Sequence, residues 1–544
     1  MTTRHWQASY GSIPKEINPD EYNSVVALME QAMSRFSALP AFRSVDQTLS
    51  YADIDRLSRD FAAYLQGKLG VKKGDRVAVM APNLLAFPIA FLGIIRAGAV
   101  QVNVNPLYTP RELEHQLNDA GVETILVYSG VSGTVAEVMP KTRLKTVITT
   151  GVGDGSGAAL PSTPVDQRLN GSITLDDALA DGAALTLLPV EVGGDDLLFL
   201  QYTGGTTGLS KGAALSHRNL VANIEQFKAF MPENLRPGQE VLVTAVPMYH
   251  IFALMVNFIT YFSVGADNWL VPNPRDFDNF IDTLKKSRPS IFTGVNTLYA
   301  GLVAHPKSRS VDWSNLRLAV GGGSAVIRSV SDKWLALTGT FIREGFGMSE
   351  ASPAVSFNPA SVQSFNGTTG LPMPSTDVKL LDEANREVSI GEPGEICVKG
   401  PQVMRGYWLR PETQASTFTE DGYFRTGDIG VFDDKGFLKI VDRKKDMIIV
   451  SGFNVFPNEI EEVATACPGV FECACVGVPD EKSGEAIKLF VVRAAGSELT
   501  EADLLAHCRK DLTGYKVPKI VRFVDALPKS TVGKILRREL RNVA

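Results

Sequence analysis

The sequence predicts an α/β protein with a large N-terminal part made of layered βαβ sheets and a small α+β part at the C-terminus. The chain has 544 residues, which is too many for one hydrophobic core and indicates at least two domains. Short apolar runs alternate with helical patterns through its first 200 residues. The last hundred residues differ, because their strands and helices are short and they contain four of the five cysteines.

The βαβ prediction rests on five consecutive segments. Apolar periodicity predicts strand, helix, strand, helix and strand, in this order, over residues 76–80, 84–96, 100–104, 111–120 and 123–128. Thr109 and Pro110 supply an N-cap and a first-turn proline to the second helix. Elements at this spacing are typical of parallel sheets. Residues 151–171 are rich in Gly, Ser and Pro and are predicted to form a surface loop.

The C-terminal part is predicted from helical faces and caps. Four residues fall on one face of a helix, namely Ile460, Val463, Ala464 and Cys467. Thr500 with Asp503 resembles a capping box before a further helix. The charge run of residues 442–446 lies between two apolar, strand-like segments. It is either a solvated turn or a domain boundary that acts as a hinge.

Composition excludes several classes of function. The net charge of −6 provides no overall basic field for DNA or RNA. Five cysteines, an odd and sparse set, indicate a reducing compartment. Cys473 and Cys475, with Cys467 nearby, form an incomplete set for zinc and are predicted to belong to a buried strand.

The sequence has no expected targeting or membrane segment. The N-terminus carries no apolar run, and the uncharged stretch of residues 251–266 is shorter than the roughly 20 residues of a spanning helix. We expect a cytoplasmic protein and leave open a peripheral contact with the inner face of the membrane.

The strongest local feature is a glycine- and threonine-rich loop over residues 203–212, which follows an apolar strand. Its glycines allow close approach of a ligand, and its threonines, Ser210 and Lys211 add hydroxyl and ammonium donors. This composition predicts a phosphate cradle. It differs from a Walker A loop because Lys211 is followed by Gly212 rather than by Ser or Thr.

A second motif combines residues 321–325 with residues 344–350. The glycines beside Phe346 suit a slot for a planar base, and Glu350 is a candidate oxygen ligand for Mg²⁺.

Two more motifs lie nearer the C-terminus. Asp428, at the end of residues 421–428, is a candidate to bind the hydroxyls of a ribose, and Arg443 to brace the same sugar. Lys534 follows a glycine at the start of an amphipathic segment.

These four motifs, in this order, resemble the adenylate-forming superfamily of acyl-CoA synthetases, adenylation domains and firefly-type luciferases. The resemblance runs from about residue 30 to the C-terminus and is strongest to bacterial long-chain fatty-acid–CoA ligases. Residues 421–460 look like the fatty-acyl-CoA synthetase motif of that family. Tyr423 and Phe346 stand where the family pattern has Trp and Tyr, so both positions keep an aromatic ring.

The resemblance implies an acyl-CoA synthetase-like fold in three parts. Residues 1–442 would form an N-terminal ATP- and acyl-binding domain, residues 443–446 a hinge, and residues 447–544 a mobile C-terminal lid. Lys445 would be the hinge residue.

The resemblance also implies roles for individual residues. Those expected to bind ATP are Thr203, Gly204, Gly205, Thr206, Thr207, Gly208, Lys211, Gly322, Gly323, Ser324, Ala325, Phe346, Gly347, Met348, Ser349, Asp428, Ile440, Arg443 and Lys534. The expected catalytic residues are Lys534, Thr203, Glu350 and His250, and Thr203 and Glu350 would also hold Mg²⁺. Ser451, Gly452 and Phe453 would line a channel for coenzyme A. Tyr249, His250, Val295 and Gly323 would line the acyl pocket.

The implied activity is ATP-dependent ligation of medium- to long-chain fatty acids to coenzyme A, with Mg²⁺ as cofactor. Three alternatives stay open: a CoA ligase for aryl or short-chain acids, a ligase that uses a carrier protein, and a non-catalytic nucleotide or fatty-acid sensor. A luciferase-like oxidase is an exceptional branch. A carrier-fused adenylation domain is not expected, because the chain ends soon after Lys534. We expect small-molecule partners and no nucleic acid, and leave a homodimer open.

Overall fold

The computed structural model of the protein describes residues 4–203, 210–451, 453–480, 482–530 and 533–541. Four β-sheets organise this described part of the chain. Two are large and mostly parallel, and two are smaller and mostly antiparallel. The α/β class that the sequence predicts is confirmed, with a large N-terminal part and a smaller C-terminal one.

The predicted βαβ segments build a seven-stranded sheet. Its described strands, in spatial order, are Ile173–Thr174, Thr146–Thr150, Thr124–Tyr128, Arg76–Met80, Val100–Asn103, Leu197–Thr203 and Lys211–Ser216. Neighbours are parallel except for the last pair. The helix predicted over residues 84–96 begins slightly later, at Ala86. Thr109 caps the next helix in a capping box with Glu112, and Pro110 is its first residue.

The second large sheet has nine strands in the described chain. In spatial order these are Leu371–Pro372, Ala354–Phe357, Ile342–Gly347, Leu318–Gly321, Ile291–Gly294, Val241–Thr244, Asp267–Leu270, Pro40–Ser44 and Gln47–Ser50. The six strands from Ile342–Gly347 to Pro40–Ser44 are parallel. The central strands Ile291–Gly294 and Leu318–Gly321 are buried at every residue, as expected for a parallel sheet covered on both faces.

Helices pack against both large sheets, and one apolar core joins the two. The α-helices before residue 340 are Val25–Arg35, Tyr51–Gly67, Ala86–Arg96, Pro110–Ala120, Ser132–Val138, Leu175–Ala183, His217–Phe230, Tyr261–Ser263, Phe277–Ser287, Asn296–Ala304 and Arg328–Thr338. Residues Ala253–Thr260 form a π-helix that continues into Tyr261–Ser263. The apolar stretch of residues 251–266 is therefore largely helical and buried in this core.

The smaller sheets follow in chain order. The four-stranded sheet consists of Asp377–Leu381, Gly394–Lys399, Phe424–Phe432 and Leu438–Arg443. The five-stranded sheet consists of Phe453–Val455, Ile448–Val450, Gly484–Arg493 and Val470–Asp480, with Ile520–Phe523 beside Gly484–Arg493. The helices of this region are Gln414–Thr417, Pro457–Ala466, Glu501–Asp511 and Arg537–Arg541.

Most local predictions for the C-terminal part are confirmed, but the prediction of only short strands there is wrong. Val470–Asp480 has 11 residues and Gly484–Arg493 has 10, because the two pair with each other along nearly their whole length. Cys473 and Cys475 are buried in strand Val470–Asp480. Thr500 and Asp503 form a capping box. Residues 442–446 connect the last strand of the four-stranded sheet to the first of the five-stranded sheet.

Candidate active site

The predicted site residues meet where parallel strands of the nine-stranded sheet end. Three of these strands end next to predicted site residues. Val295 follows strand Ile291–Gly294, and Gly322 follows strand Leu318–Gly321. Glu350 comes three residues after the end of strand Ile342–Gly347. The carboxyl ends of neighbouring parallel strands lie at one edge of a sheet, where α/β proteins commonly bind ligands. The fold thus gathers motifs that are far apart in the chain.

Glu350 is held by two hydroxyl groups. It lies in the short turn Ser349–Ala351 and is 8% exposed. Its Oε1 accepts a hydrogen bond from the Tyr407 hydroxyl at 2.8 Å, and the Thr203 hydroxyl lies 3.5 Å from the same oxygen. The structure therefore brings together the two predicted magnesium residues, Thr203 and Glu350.

The chemistry of this pair fits a magnesium ion that arrives with a nucleotide. A carboxylate and a hydroxyl are hard oxygen ligands, and Mg²⁺ commonly takes one or two carboxylates while substrate phosphates complete its shell. Within the described ranges, no group of three or more His, Cys, Asp or Glu side chains could hold a metal. Thr203 and Glu350 supply only two protein oxygens, so ATP would have to provide further ligands to the ion.

Lys534 enters the same site from the C-terminal part. A Cβ atom added at Gly323 would lie 3.3 Å from Cε of Lys534 and 3.7 Å from Cγ1 of Val295. Gly323 also has φ +77°, so both the space and the backbone favour glycine there. The Thr297 hydroxyl donates to the Gly533 carbonyl at 3.2 Å and anchors the residue just before Lys534.

The charged groups of the site act on one another. Burial and the charge of Arg443 lower the pKa of the Lys534 ammonium to about 8, although Asp428 and Glu350 oppose the shift. Burial raises the pKa of the Asp428 carboxyl to about 6, against the effect of Arg443 and Lys534. Asp428 and Arg443 are cross-strand partners, and Nε of Arg443 lies 3.6 Å from Oδ1 of Asp428. The predicted lysine, ribose residues and metal carboxylate therefore lie in one electrostatic environment.

The predicted adenine slot lies between two closely packed loops. The N–H of Gly322 donates to the Gly294 carbonyl at 3.2 Å, and a Cβ atom at Gly322 would lie 3.4 Å from the Phe252 ring. A Cβ atom at Gly347 would lie 2.3 Å from the Pro353 carbonyl oxygen. The other predicted residues of the slot belong to these two segments or to strand Leu438–Arg443, namely Ser324, Ala325, Phe346, Met348, Ser349 and Ile440.

Tyr249 and His250, predicted for the acyl pocket, lie on a loop with defined contacts. The Gln201 side chain donates to the Tyr249 carbonyl at 3.1 Å, and the N–H of Phe252 donates to Nδ1 of His250 at 3.3 Å. Burial and the charge of Lys534 together lower the pKa of His250 to about 3, so the imidazole is neutral near pH 7.

A polar residue interrupts the apolar helix behind this loop. Asn257, in the π-helix, donates to the Thr244 hydroxyl at 2.9 Å and accepts from the Thr293 hydroxyl at 2.9 Å. These strand-end contacts satisfy a buried amide, and π-helices are frequent near functional sites.

The predicted phosphate loop is described only at its two ends. Thr203 and Lys211 are cross-strand partners. The Ser210 carbonyl is 2.9 Å from Nε2 of His115, and Nζ of Lys211 lies 5.3 Å from the centre of the Tyr407 ring. His115 and Tyr407 belong to no predicted motif, and no local signal distinguishes them. Five predicted ATP-binding residues lie outside the described residues, namely Gly204, Gly205, Thr206, Thr207 and Gly208.

A buried charge network connects the predicted hinge to the C-terminal part. Asp442 is 1% exposed and accepts the N–H of Asn458 at 2.8 Å. Arg537 lies 3.7 Å from Asp442 and 2.7 Å from Glu461. Burial raises the pKa of Asp442 to about 6, and Arg537 partly opposes this. The sequence analysis missed this network because its members are far apart in the chain.

The predicted hinge residue Lys445 lies beside this network, and the predicted CoA-channel residues make separate contacts. The Lys445 carbonyl accepts a hydrogen bond from Arg541 at 3.3 Å. The N–H of Ser451 donates to the Ser483 carbonyl at 2.7 Å. Phe453 is 55% exposed and stacks on Tyr515 with ring centres 4.8 Å apart. Gly452 lies outside the described residues.

The described helices do not meet the requirements of a membrane-spanning segment. None of the described helices combines the length and the apolar character that crossing a bilayer requires.

Comparison with known proteins agrees with the fold and the motifs. The pattern of the AMP-binding enzyme family matches residues 29–408, and that of the AMP-binding enzyme C-terminal domain matches residues 459–534. The chain belongs to the AMP-binding enzyme family, which confirms the resemblance drawn from its motifs.

Individual relatives cover nearly the whole chain. It is 49% identical to the long-chain-fatty-acid–CoA ligase of Escherichia coli O157:H7 over 551 residues, 99% of this chain and 98% of the relative. It is 50% identical to the protein of the same name from Salmonella typhimurium over 552 residues, with the same coverage. A benzoate CoA ligase structure from Burkholderia xenovorans LB400 matches with a TM-score of 0.84 at 26% identity, covering 95% of this chain and 100% of that one.

Proposed function

We propose that this protein is an ATP-dependent ligase that joins medium- to long-chain fatty acids to coenzyme A. The observation that carries the proposal is the position of Lys534, a partly buried cation whose side chain packs against Gly323 and whose charge interacts with Asp428 and Glu350. The names of the two relatives at about 50% identity support the choice of acid.

The first half-reaction would form an acyl-adenylate. A carboxylate oxygen attacks the α-phosphorus of ATP, the bond to the β-phosphate oxygen breaks, and pyrophosphate leaves with the electron pair. Two anions approach each other, so fixed positive charge matters more than a general base. Thr203 and Glu350 would hold Mg²⁺, which neutralises charge on the phosphates.

Lys534 is the residue that would bridge the acid and the α-phosphate. Its pKa of about 8 leaves the ammonium mostly protonated near pH 7, and burial strengthens its attraction to anions. His250, which is neutral near pH 7, would add no competing charge at the carboxylate end of the proposed pocket. Asp428 and Arg443 would hold the ribose from their adjacent strands.

The second half-reaction would transfer the acyl group to coenzyme A. The thiolate attacks the acyl carbon, the bond to the AMP oxygen breaks, and AMP leaves as the thioester forms. Lys534 would have to leave the site first, so we infer that residues 447–544 rotate as a lid about residues 443–446, with residues 1–442 as the fixed domain. The start of a separate sheet at Ile448 supports this boundary.

The acyl chain would run from Tyr249 and His250 past Val295 and Gly323. Val295 is 7% exposed and lines the same space as the Lys534 side chain. The loop around Ser451 and Phe453 would face the pantetheine of coenzyme A after rotation. The 55% exposure of Phe453 is compatible with such a contact.

The test is release of pyrophosphate and AMP with ATP, Mg²⁺ and coenzyme A, across acetate, octanoate, palmitate and coumarate. Continuous turnover that requires coenzyme A and peaks at octanoate or palmitate is the expected result. A peak at acetate or coumarate would reassign the acid. One turnover that coenzyme A cannot continue would reassign the acceptor to another thiol. No release with any acid would overturn the ligase and favour a sensor.

A further inference from the structure

Tyr407 contacts both the predicted metal carboxylate and the end of the predicted phosphate loop. Its hydroxyl donates to Oε1 of Glu350 at 2.8 Å. Its ring lies 5.3 Å from Nζ of Lys211, within the range of a cation–π interaction. Lys211 pairs with Thr203 across the two strands that flank the loop. One side chain thus connects Glu350 to the phosphate-loop strands.

The backbone around Tyr407 is fixed to the same two elements. The N–H of Trp408 donates to the Gly212 carbonyl at 2.8 Å, one residue beyond Lys211. The N–H of Met404 donates to the Glu350 carbonyl at 2.8 Å. Tyr407 therefore cannot shift without disturbing the strand after the loop or the turn that carries Glu350.

The Tyr407 hydroxyl is placed to select one orientation of the Glu350 carboxylate. Tyr407 and Thr203 both contact Oε1, so the second carboxylate oxygen is the one that can turn toward a cation. A hydrogen bond to a charged group is strong enough to select one orientation of the carboxylate.

We infer that Tyr407 is a positioning residue of the ATP–magnesium site, which orients the Glu350 carboxylate through its hydroxyl and steadies Lys211 through its ring. The inference rests on the function proposed above. It assigns Tyr407 a role apart from substrate contact, because no reacting atom has to touch it.

Tyr407→Phe removes the hydroxyl and keeps the ring. We expect the Mg²⁺ concentration for half-maximal adenylation to rise roughly tenfold, the cost of one hydrogen bond to a charged group. The rate at saturating Mg²⁺ should fall much less. A second readout does not use activity: Mn²⁺ affinity in the presence of a non-hydrolysable ATP analogue, followed by electron paramagnetic resonance, should weaken by a similar factor.

Tyr10→Phe is the matched control. Its hydroxyl is also buried and donates to the Pro372 carbonyl at 2.6 Å, outside the candidate site. Loss of that hydrogen bond should lower stability without moving the Mg²⁺ or Mn²⁺ midpoint.

A double-mutant cycle with Glu350→Gln separates positioning from a general structural effect. If Tyr407 acts through Glu350, adding Tyr407→Phe to Glu350→Gln should change Mn²⁺ affinity less than twofold. Independent, multiplying effects would overturn the inference, as would a Tyr407→Phe protein whose Mn²⁺ and Mg²⁺ midpoints stay within twofold of wild type. If wild type releases no pyrophosphate with any acid, the proposed function fails, while Mn²⁺ binding still tests Tyr407.

Discussion

Glu344 is a buried carboxyl group whose protonation should make the stability of the fold depend on pH. It is 7% exposed, and its Oε1 accepts the N–H of Val326 at 3.0 Å, directly after the predicted adenine loop. Burial raises the pKa of Glu344 from 4.5 to about 8, and the charge of Lys439 opposes the shift. At about 1.4 kcal/mol per pKa unit, a rise from 4.5 to about 8 makes ionisation of this group about 5 kcal/mol more costly in the folded protein than in the unfolded one.

The sign follows from proton binding. Between about pH 4.5 and 8, the folded chain keeps a proton on Glu344 that the unfolded chain has released. The folded state therefore binds more protons, and the free energy of unfolding falls as pH rises through this window and levels off above it. Below the window, both states are protonated and the contribution is fully retained.

Glu344→Gln should remove this dependence. The amide is neutral at all these pH values, and its oxygen can still accept the Val326 N–H. We expect the variant to be close to wild type at pH 4.5 and more stable by about 5 kcal/mol at pH 8.5. Urea unfolding at a series of pH values measures this, and infrared spectroscopy should show a protonated carboxylic acid in wild type that the variant lacks.

Glu395→Gln is the matched control for Glu344→Gln. Glu395 is also 7% exposed, but its carboxylate lies 3.2 Å from Arg425 and 3.1 Å from Lys444. Removal of this charge should destabilise the fold and leave the pH slope in place. The reasoning would be refuted by a Glu344→Gln protein that keeps the wild-type slope, or that is less stable than wild type at pH 8.5.

Three further substitutions test the lid. Lys534→Ala should slow acid-dependent pyrophosphate release by roughly 10²–10³-fold, as loss of an oxyanion donor does, and near-normal release would remove Lys534 from the mechanism. Lys445→Pro fixes φ and should impair thioester formation while it spares pyrophosphate release; equal loss of both would contradict a hinge there. Asp442→Ala leaves Arg537 without one buried partner and should speed tryptic cleavage within residues 443–446 roughly tenfold, whereas an unchanged rate would show that the network does not hold the lid.

Local signals in the sequence were sufficient for much of the N-terminal fold. Strand Arg76–Met80 has the predicted bounds because its apolar run ends at a clear turn. The helix after Thr109 starts as predicted because a capping side chain and a proline act within one turn. Such interactions involve neighbours in the chain, so the order of residues reveals them.

Some residues of the candidate site have a local sequence signal, and others do not. Thr203, Glu350 and Lys534 were predictable because each belongs to a motif with a recognisable pattern. Tyr407 contacts Glu350, and Asp442 lies near Arg537, and in each pair the two residues are far apart in the chain. No periodicity or spacing records such contacts, which exist only once the sheets have formed.

Two of the contacts that keep Lys534 in the site are single polar interactions. Thr297 holds the preceding Gly533 carbonyl through one hydrogen bond, and a nitrogen of Arg537 lies 3.7 Å from a carboxylate oxygen of Asp442. The closer contact of Arg537, 2.7 Å to Glu461, lies within the proposed lid and would survive rotation. Hydrogen bonds contribute about 1 kcal/mol each, so these two contacts can break during the proposed catalytic cycle at small cost. Under the proposed mechanism, the same lysine can therefore serve the first half-reaction and leave before the second.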